Sequence, residues 1–332
     1  MAGVTDDGKP ILYYNEFSGP SRKVLMALYE KRVDFKPRHV QIFDGEQFND
    51  WFLALNPRGE VPVLQDGDNI VVESTQIVDY IDSKYGHPYL LMPKDNPKVK
   101  EYISLFDGIP LFAITYGVFA FHAEQTTDVL RYPYCQEALR INSKHMIIHK
   151  PVLLREEAQK HRGKPAEAAL RQKARDLESI REIFLENDKI HGILYNLEVI
   201  LDKVEAELDS DDRLGPWLCG TTFSGADVTL ISILMRLYQL GLDQRYWKGG
   251  VRPHLAVYQE LAFRRPSVVK ATKWKDYEGK FLVIARDTNG SANGNSESSG
   301  MTRSESVDAA KVGLGAVLLL GGIYACKKMM NK

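Results

Sequence analysis

The chain has 332 residues, 43 basic and 44 acidic, for a formal charge of −1. At about 100–200 residues per domain, that length accommodates two domains and a tail. Balanced charge with 44% hydrophobic residues is ordinary globular composition and excludes a strongly basic nucleic-acid binder, so no nucleic-acid partner is expected.

The first residues, MAGVTDDGK, carry neither an apolar signal core nor an arginine-rich presequence, so targeting is expected from elsewhere. Ile11–Tyr14 reads as a strand, NEFSGPS as a turn, and Ser21 to Lys31 as a helix burying Val24, Leu25 and Leu28. Residues 33–40 form a candidate second strand. Phe48, Trp51, Phe52 and Leu55, at i, i+3, i+4 and i+7, predict an amphipathic helix. Two β-rich runs at 61–64 and 70–72 flank Gln65-Asp66-Gly67-Asp68-Asn69. Asp-Gly there signals a hairpin, because both residues tolerate positive φ. Glu73-Ser74 then opens a helix with Ile77, Val78 and Ile81 on one face. The order βαβα, then ββα, describes a small mixed sheet with helices on its faces, the thioredoxin arrangement.

Pro93-Lys94-Asp95-Asn96-Pro97 reads as a linker, beyond which strand signals largely stop and an all-α domain is expected over 97–285. Gly108 and Pro110 break the apolar stretch 99–121 into two helical pieces. Residues 145–181 are rich in Lys and Arg and sparse in apolar residues, which predicts a long, solvated helical insertion within about 144–192. Leu197, Ile200, Leu201, Val204 and Leu208 mark a buried helix. Phe223-Ser224-Gly225-Ala226-Asp227-Val228 predicts a capped helix start, with Asp227 reaching back to the cap amide. The following run to Leu240 is apolar nearly all round and belongs at the centre of the helical domain.

Gly, Ser, Asn and charged residues dominate 286–311, a flexible linker by composition. The segment from Val312 to Cys326 has fifteen uncharged residues, spanning ~22 Å against a hydrocarbon core of ~30 Å. Flanking Lys311, Lys327 and Lys328 can snorkel and lengthen the span, so a transmembrane tail anchor is expected, with the domains left in the cytosol. A short, glycine-bearing span with a basic tail points to the mitochondrial outer membrane. The peroxisomal membrane is the alternative.

Few motifs carry obvious chemistry. Ser18 and Ser21 stand at the turn where a redox Cys-x-x-Cys would sit, and without a thiolate there, thiol–disulfide exchange is excluded. A serine hydroxyl beside a helix N-terminus either activates a bound thiolate or merely caps the helix. His145 and His149 have metal-pair spacing without a third ligand, so no metal site is expected. Cys135, Cys219 and Cys326 are odd in number and far apart, which suits a reducing compartment. Pro62, where a cis bond is tolerable, and Glu73-Ser74 at the next helix start could together offer backbone groups and a carboxylate to an extended peptide such as glutathione.

With SGPSR, NPRGEVPVL, ESTQIVDYI and the FSGAD cap in view, the chain resembles the glutathione S-transferase family over most of residues 10–280. The resemblance implies a thioredoxin-like domain over 10–92 followed by an all-α domain. It implies a cis Pro62, backbone pairing of glutathione at Val61, and a γ-glutamyl end held by Glu73 and Ser74. Ser18 stands where theta-like members keep an activating serine. Relatives often dimerise, so a homodimer is among the expectations. The run PWLCG-x-x-F-x-x-AD, the insertion and the apolar tail are similar to a tail-anchored, mitochondrial branch of that family, linked to mitochondrial fission and network shape. Membrane attachment through Val312 to Cys326, and fission or cytoskeletal partners on the basic insertion, follow from that likeness. One departure is Glu60, where active relatives carry a basic or amide residue facing the glycyl carboxylate. A like charge there costs up to roughly 4 kcal/mol at ~4 Å and an effective dielectric of 20. The sequence therefore leaves open whether the chain conjugates glutathione to electrophiles.

Overall fold

The computed structural model describes residues 8–272 apart from 43, 87 and 132, together with the backbone of 281–282. Strand β1 (Ile11–Tyr14) is the pivot of the first half. It pairs in parallel with β2 (Lys36–His39) and antiparallel with β3 (Val63–Asp66), bringing Leu12 opposite both Pro37 and Leu64. Strand β4 (Asn69–Val72) closes the hairpin and the sheet order is β2-β1-β3-β4. Asp66 faces Asn69 across the turn, and Gly67 takes φ +61°, a conformation glycine adopts without a Cβ penalty.

Helix α1 (Gly19–Glu30) buries Val24, Leu25 and Leu28, as its periodicity predicts, and packs against α3 (Ser74–Lys84). Two elements are shorter than expected. The second strand keeps only four residues, and the helix expected around Phe48–Leu55 is a 3-10 turn, Glu46–Phe48, then a single helical turn, α2 (Asp50–Leu53). Asn49 is extended (φ −66°, ψ 146°), which interrupts the helix, while Phe52 and Leu55 are still buried. Tyr13 meets this segment, with ring centroids 5.9 Å from Trp51 and 6.3 Å from Phe52.

The second half is helical. Helix α4 (Pro97–Asp107) and α5 (Leu111–Tyr116) are the two pieces expected on either side of Gly108 and Pro110, and α5 runs on into a π-helical segment, Gly117–Phe121. A two-residue strand β5 (Leu130–Arg131) follows. Then come α6 (Glu137–Lys160), α7 (Pro165–Leu185) and α8 (Asn187–Asp209), which buries Leu197, Leu201, Val204 and Leu208. Helix α9 (Gly225–Gln239) is buried on nearly every side, at the centre of the helical half. The Oδ2 of Asp227 accepts the Ser224 N–H and hydroxyl at 2.8 Å each, the reach-back that the FSGAD motif predicts. Its Oδ1 accepts from Leu218 N–H and the Tyr258 hydroxyl. Among the described residues, short α10 (Asp243–Tyr246), α11 (Pro253–Phe263) and α12 (Pro266–Thr272) are the last helices, and β6 (Phe281–Leu282) pairs with β5.

The basic insertion departs from the solvated helix expected of it. Helices α6 and α7 form an antiparallel hairpin whose seam buries Leu154 and Ala158 against Leu170, Ala174 and Leu177. Arg155 and Glu178 close its outer edge with paired hydrogen bonds at 2.7 and 2.5 Å. Apolar residues sparse along one helix suffice when two helices share them.

Both halves meet along α1. Arg265 binds Glu30 through two hydrogen bonds of 2.6 and 2.8 Å, and Ser232 of α9 donates to the Gly19 carbonyl at 3.0 Å. The linker expected over 286–311 and the anchor expected from Val312 to Cys326 lie outside the described residues. Among the described residues, no single helix is long and apolar enough to cross a membrane.

Candidate functional site

A cleft of about 680 Å³ lies between the sheet domain and the helices. Its sheet-side wall comes from two local devices. The first is the loop before β3, where the Asn56 side chain donates to the Glu60 carbonyl at 2.9 Å and the Val61-Pro62 peptide is cis. The second is the start of α3, where Glu73 takes φ +67°, a region that costs a non-glycine residue energy and recurs at ligand sites. Between them they bring Val61, Pro62, Glu73 and Ser74 onto one wall. Four candidates separated by the β3–β4 hairpin thus converge. The helical wall comes from α4, α5 and α9 and includes Ile109, Leu111, Phe112 and Ile233.

Ser18 stands outside this lining, although its neighbours Gly19 and Pro20 belong to it. Its side chain is buried, and its Oγ accepts the Ser21 N–H at 3.2 Å, capping α1. The geometry shows the cap, which leaves the hydroxyl proton able to donate. Cys219 is no alternative nucleophile, because burial above all pushes its thiol up to about 12. His145 and His149 stack on α6 with ring centroids 4.3 Å apart. Among the described residues, no group of three or more His, Cys, Asp or Glu side chains is placed to hold a metal ion.

Glu60 is paired on both carboxylate oxygens. Arg58 Nε lies 3.2 Å from one carboxylate oxygen and Lys173 Nζ 3.1 Å from the other. Lys173 also donates to the Arg58 carbonyl at 2.8 Å, so the hairpin reaches across and closes this corner. Burial lowers the Lys173 ammonium and the Glu60 carboxylate opposes that shift. Sequence reasoning misses Lys173, yet a signal exists. It lies on the buried stripe Ala166, Leu170, Ala174, Leu177, where a lysine needs a partner. Burial foremost, then Glu60, raises the Glu73 carboxyl above its ordinary range, with Arg58 and Lys173 opposing.

A second polar cluster sits on the same cleft. Lys23 of α1 donates to Thr75 Oγ at 2.7 Å and to Asp107 Oδ1 at 3.0 Å, while Thr75 donates to Asp107 Oδ2 at 2.7 Å. These three residues tie α1, α3 and α4 together, and no local sequence pattern announces them.

A thioredoxin-like sheet whose cis-proline loop lines a cleft facing an all-α domain defines a glutathione transferase-like fold. A family model described as glutathione S-transferase, N-terminal domain, matches residues 12–89. Ganglioside-induced differentiation-associated protein 1-like 1 of Homo sapiens is 32% identical over 77% of this chain and 71% of its own length. Glutathione S-transferase TCHQD of Arabidopsis thaliana is 25% identical over 80% of this chain and 92% of that protein. Beta-etherase LigF from Sphingobium sp. strain SYK-6 shares the fold, with a TM-score of 0.55 at 22% identity over 80% of this chain and 99% of that one. The chain belongs to the ganglioside-induced differentiation-associated protein 1 family of glutathione transferase-like proteins.

Proposed function

We propose that this chain is a mitochondrial outer-membrane protein that regulates network dynamics, including fission, and redox-linked mitochondrial function, through a glutathione-binding cradle. The observation that carries the reading is Lys173, which bonds the α6–α7 hairpin to Glu60 and to the Arg58 carbonyl inside the cradle. A bound glutathione would present its glycyl carboxylate to those same cations, Arg58 and Lys173. Ligand binding and hairpin docking then share partners, which makes them thermodynamically linked. The hairpin's outer face is the surface offered to fission or cytoskeletal proteins. Val312 to Cys326, bracketed by Lys311, Lys327 and Lys328, supports a tail anchor with the domains in the cytosol, and the peroxisomal membrane is the second destination. A homodimer is part of this reading, since glutathione transferase-fold proteins commonly pair.

The test is complementation with the full chain carrying Lys173→Met in cells lacking the protein. Network shape should stay uncorrected when expression is raised until the variant matches the wild type in abundance and location. Full correction would overturn the coupling. Removing residues 312–326 should release the protein from membranes, and retention there would overturn the anchor.

A second reading is an active transferase that conjugates glutathione to electrophiles. It is favoured by the apolar wall of Ile109, Leu111, Phe112 and Ile233 beside the cradle, room for an apolar co-substrate. Turnover of glutathione with chlorodinitrobenzene above the uncatalysed rate supports it. A rate equal to background removes it.

A further inference from the structure

The outer face of α6 exposes two histidines among a row of apolar residues. His145 and His149 stand one helical turn apart, both exposed, with ring centroids 4.3 Å from each other. Neither ring has a hydrogen-bond or ion-pair partner among the described residues. Ile141, Ile148 and Val152 beside them are 60%, 38% and 53% exposed. Positions 141, 145, 148 and 152 alternate steps of four and three residues, which is the seam of a coiled coil. Helix α7 covers a different face of α6, that of Leu154 and Ala158, so this seam has no occupant among the described residues.

Two imidazoles at i, i+4 can reach one ion, and imidazole nitrogen is a common ligand of Zn²⁺. A structural zinc ion takes four ligands in a tetrahedron, so one pair is half a set. A second copy supplies the other half when the two α6 helices run antiparallel. With the two-fold axis level with the midpoint of positions 146 and 147, Ile141 faces Val152 of the copy and His145 faces Ile148, layer after layer along the seam. At 1.5 Å per residue, His145 and His149 then lie about 2 and 4 Å to either side of that axis, so four rings gather round one point. Charge favours the same alignment. It sets Arg140 of each helix near Glu156 of the other, whereas a parallel pair would set each against its own kind. We propose that His145 and His149 are half of a Zn²⁺ site completed by the same pair from a second copy of this chain, packed antiparallel along α6. The site is separate from the cleft and requires neither glutathione nor a membrane.

The test is Zn²⁺ titration of the untagged full chain in detergent, with dialysis reading stoichiometry and light scattering reading protein mass. Wild type should bind one ion per two chains through this site, and its protein mass should at least double over the same zinc range. His149→Ala should lose the mass step and bind zinc at least about tenfold more weakly. That ring is exposed and unpartnered, so the unfolding midpoint without zinc should not move. Ile141→Lys leaves both ligands in place and charges the seam, so it too should lose the mass step. No zinc-dependent rise in mass, one ion per chain at this site in wild type, or wild-type behaviour of His149→Ala or Ile141→Lys would each overturn the proposal.

Discussion

Lys173 and Glu60 stand 3.1 Å apart with side chains 4% and 9% exposed, joining the insertion to the loop before Pro62. A buried pair of this kind adds little over an apolar pair of the same shape, but breaking it from one side strands a charge. Lys173→Met is therefore expected to destabilise the fold by about 3 kcal/mol, with Arg58 limiting the loss. Glu60→Gln in the same chain should recover more than half of it. Urea unfolding of the two single variants and the double variant measures this directly. Additive single effects would show that the pair is not coupled.

Lys150 of α6 makes a sharper pH prediction. Its ammonium lies 4.9 Å from the Phe48 ring centroid, and burial, with Lys173 adding repulsion, lowers it to about 7. Between that value and its ordinary 10.5, the unfolded chain binds the proton that the folded chain releases. Stability from this group accordingly rises with pH across that window and is lowest below it. Lys150→Met should stabilise the protein near pH 6.5 by about 2–4 kcal/mol, after allowing for the lost ring contact, and by much less near pH 10. Unfolding midpoints of both proteins at the two pH values check it. A gain independent of pH would mean that the side chain is paired or solvated.

Asp227 gathers four donors, from Leu218, Ser224 twice and Tyr258, at 2.8–2.9 Å. Asp227→Ala strands them all and should cost more than about 3 kcal/mol, since each buried unsatisfied donor costs about 1–3. Ser224→Ala, which removes one hydroxyl, should cost only about 1 kcal/mol. Thermal unfolding separates the two. Similar losses would demote Asp227 to an ordinary cap.

At Gly225, the first residue of α9, an added Cβ would fall 2.7 Å from Met92 Sδ and 3.0 Å from Ile103 Cδ1. Methionine yields more readily than backbone, so Gly225→Ala should destabilise by about 1–3 kcal/mol rather than prevent folding. A stabilised variant, as helix propensity alone would give, contradicts this packing.

The sheet domain was legible because its signals are local. Leu12 and Leu64 sit in short β-rich runs, and Asp66-Gly67 marks the turn between β3 and β4. Val61, Pro62, Glu73 and Ser74 were readable for the same reason, lying on either side of one hairpin. What escaped was assembled from afar. Lys173 is 113 positions from Glu60 in the chain, Lys23 is 84 from Asp107, and Arg236 acts on the carbonyl of Phe17, so no window of sequence contains both partners. The solvated reading of the insertion failed differently. Read as one long helix, the insertion has too few apolar residues for a core, whereas Leu154, Leu170 and Leu177 are buried where the chain folds back as two packed helices. Ser18 has both roles open in the sequence; the structure shows the cap, its Oγ accepting Ser21 N–H, a bond that leaves the hydroxyl proton able to donate.

Glutathione binding tests the central claim most directly. Calorimetry on the full chain should give saturable binding with Kd below about 1 mM. Glu73→Gln, which removes the carboxylate expected to meet the γ-glutamyl ammonium, should weaken it by about tenfold or more. No heat at millimolar glutathione, or the same affinity in Glu73→Gln, would contradict the cradle.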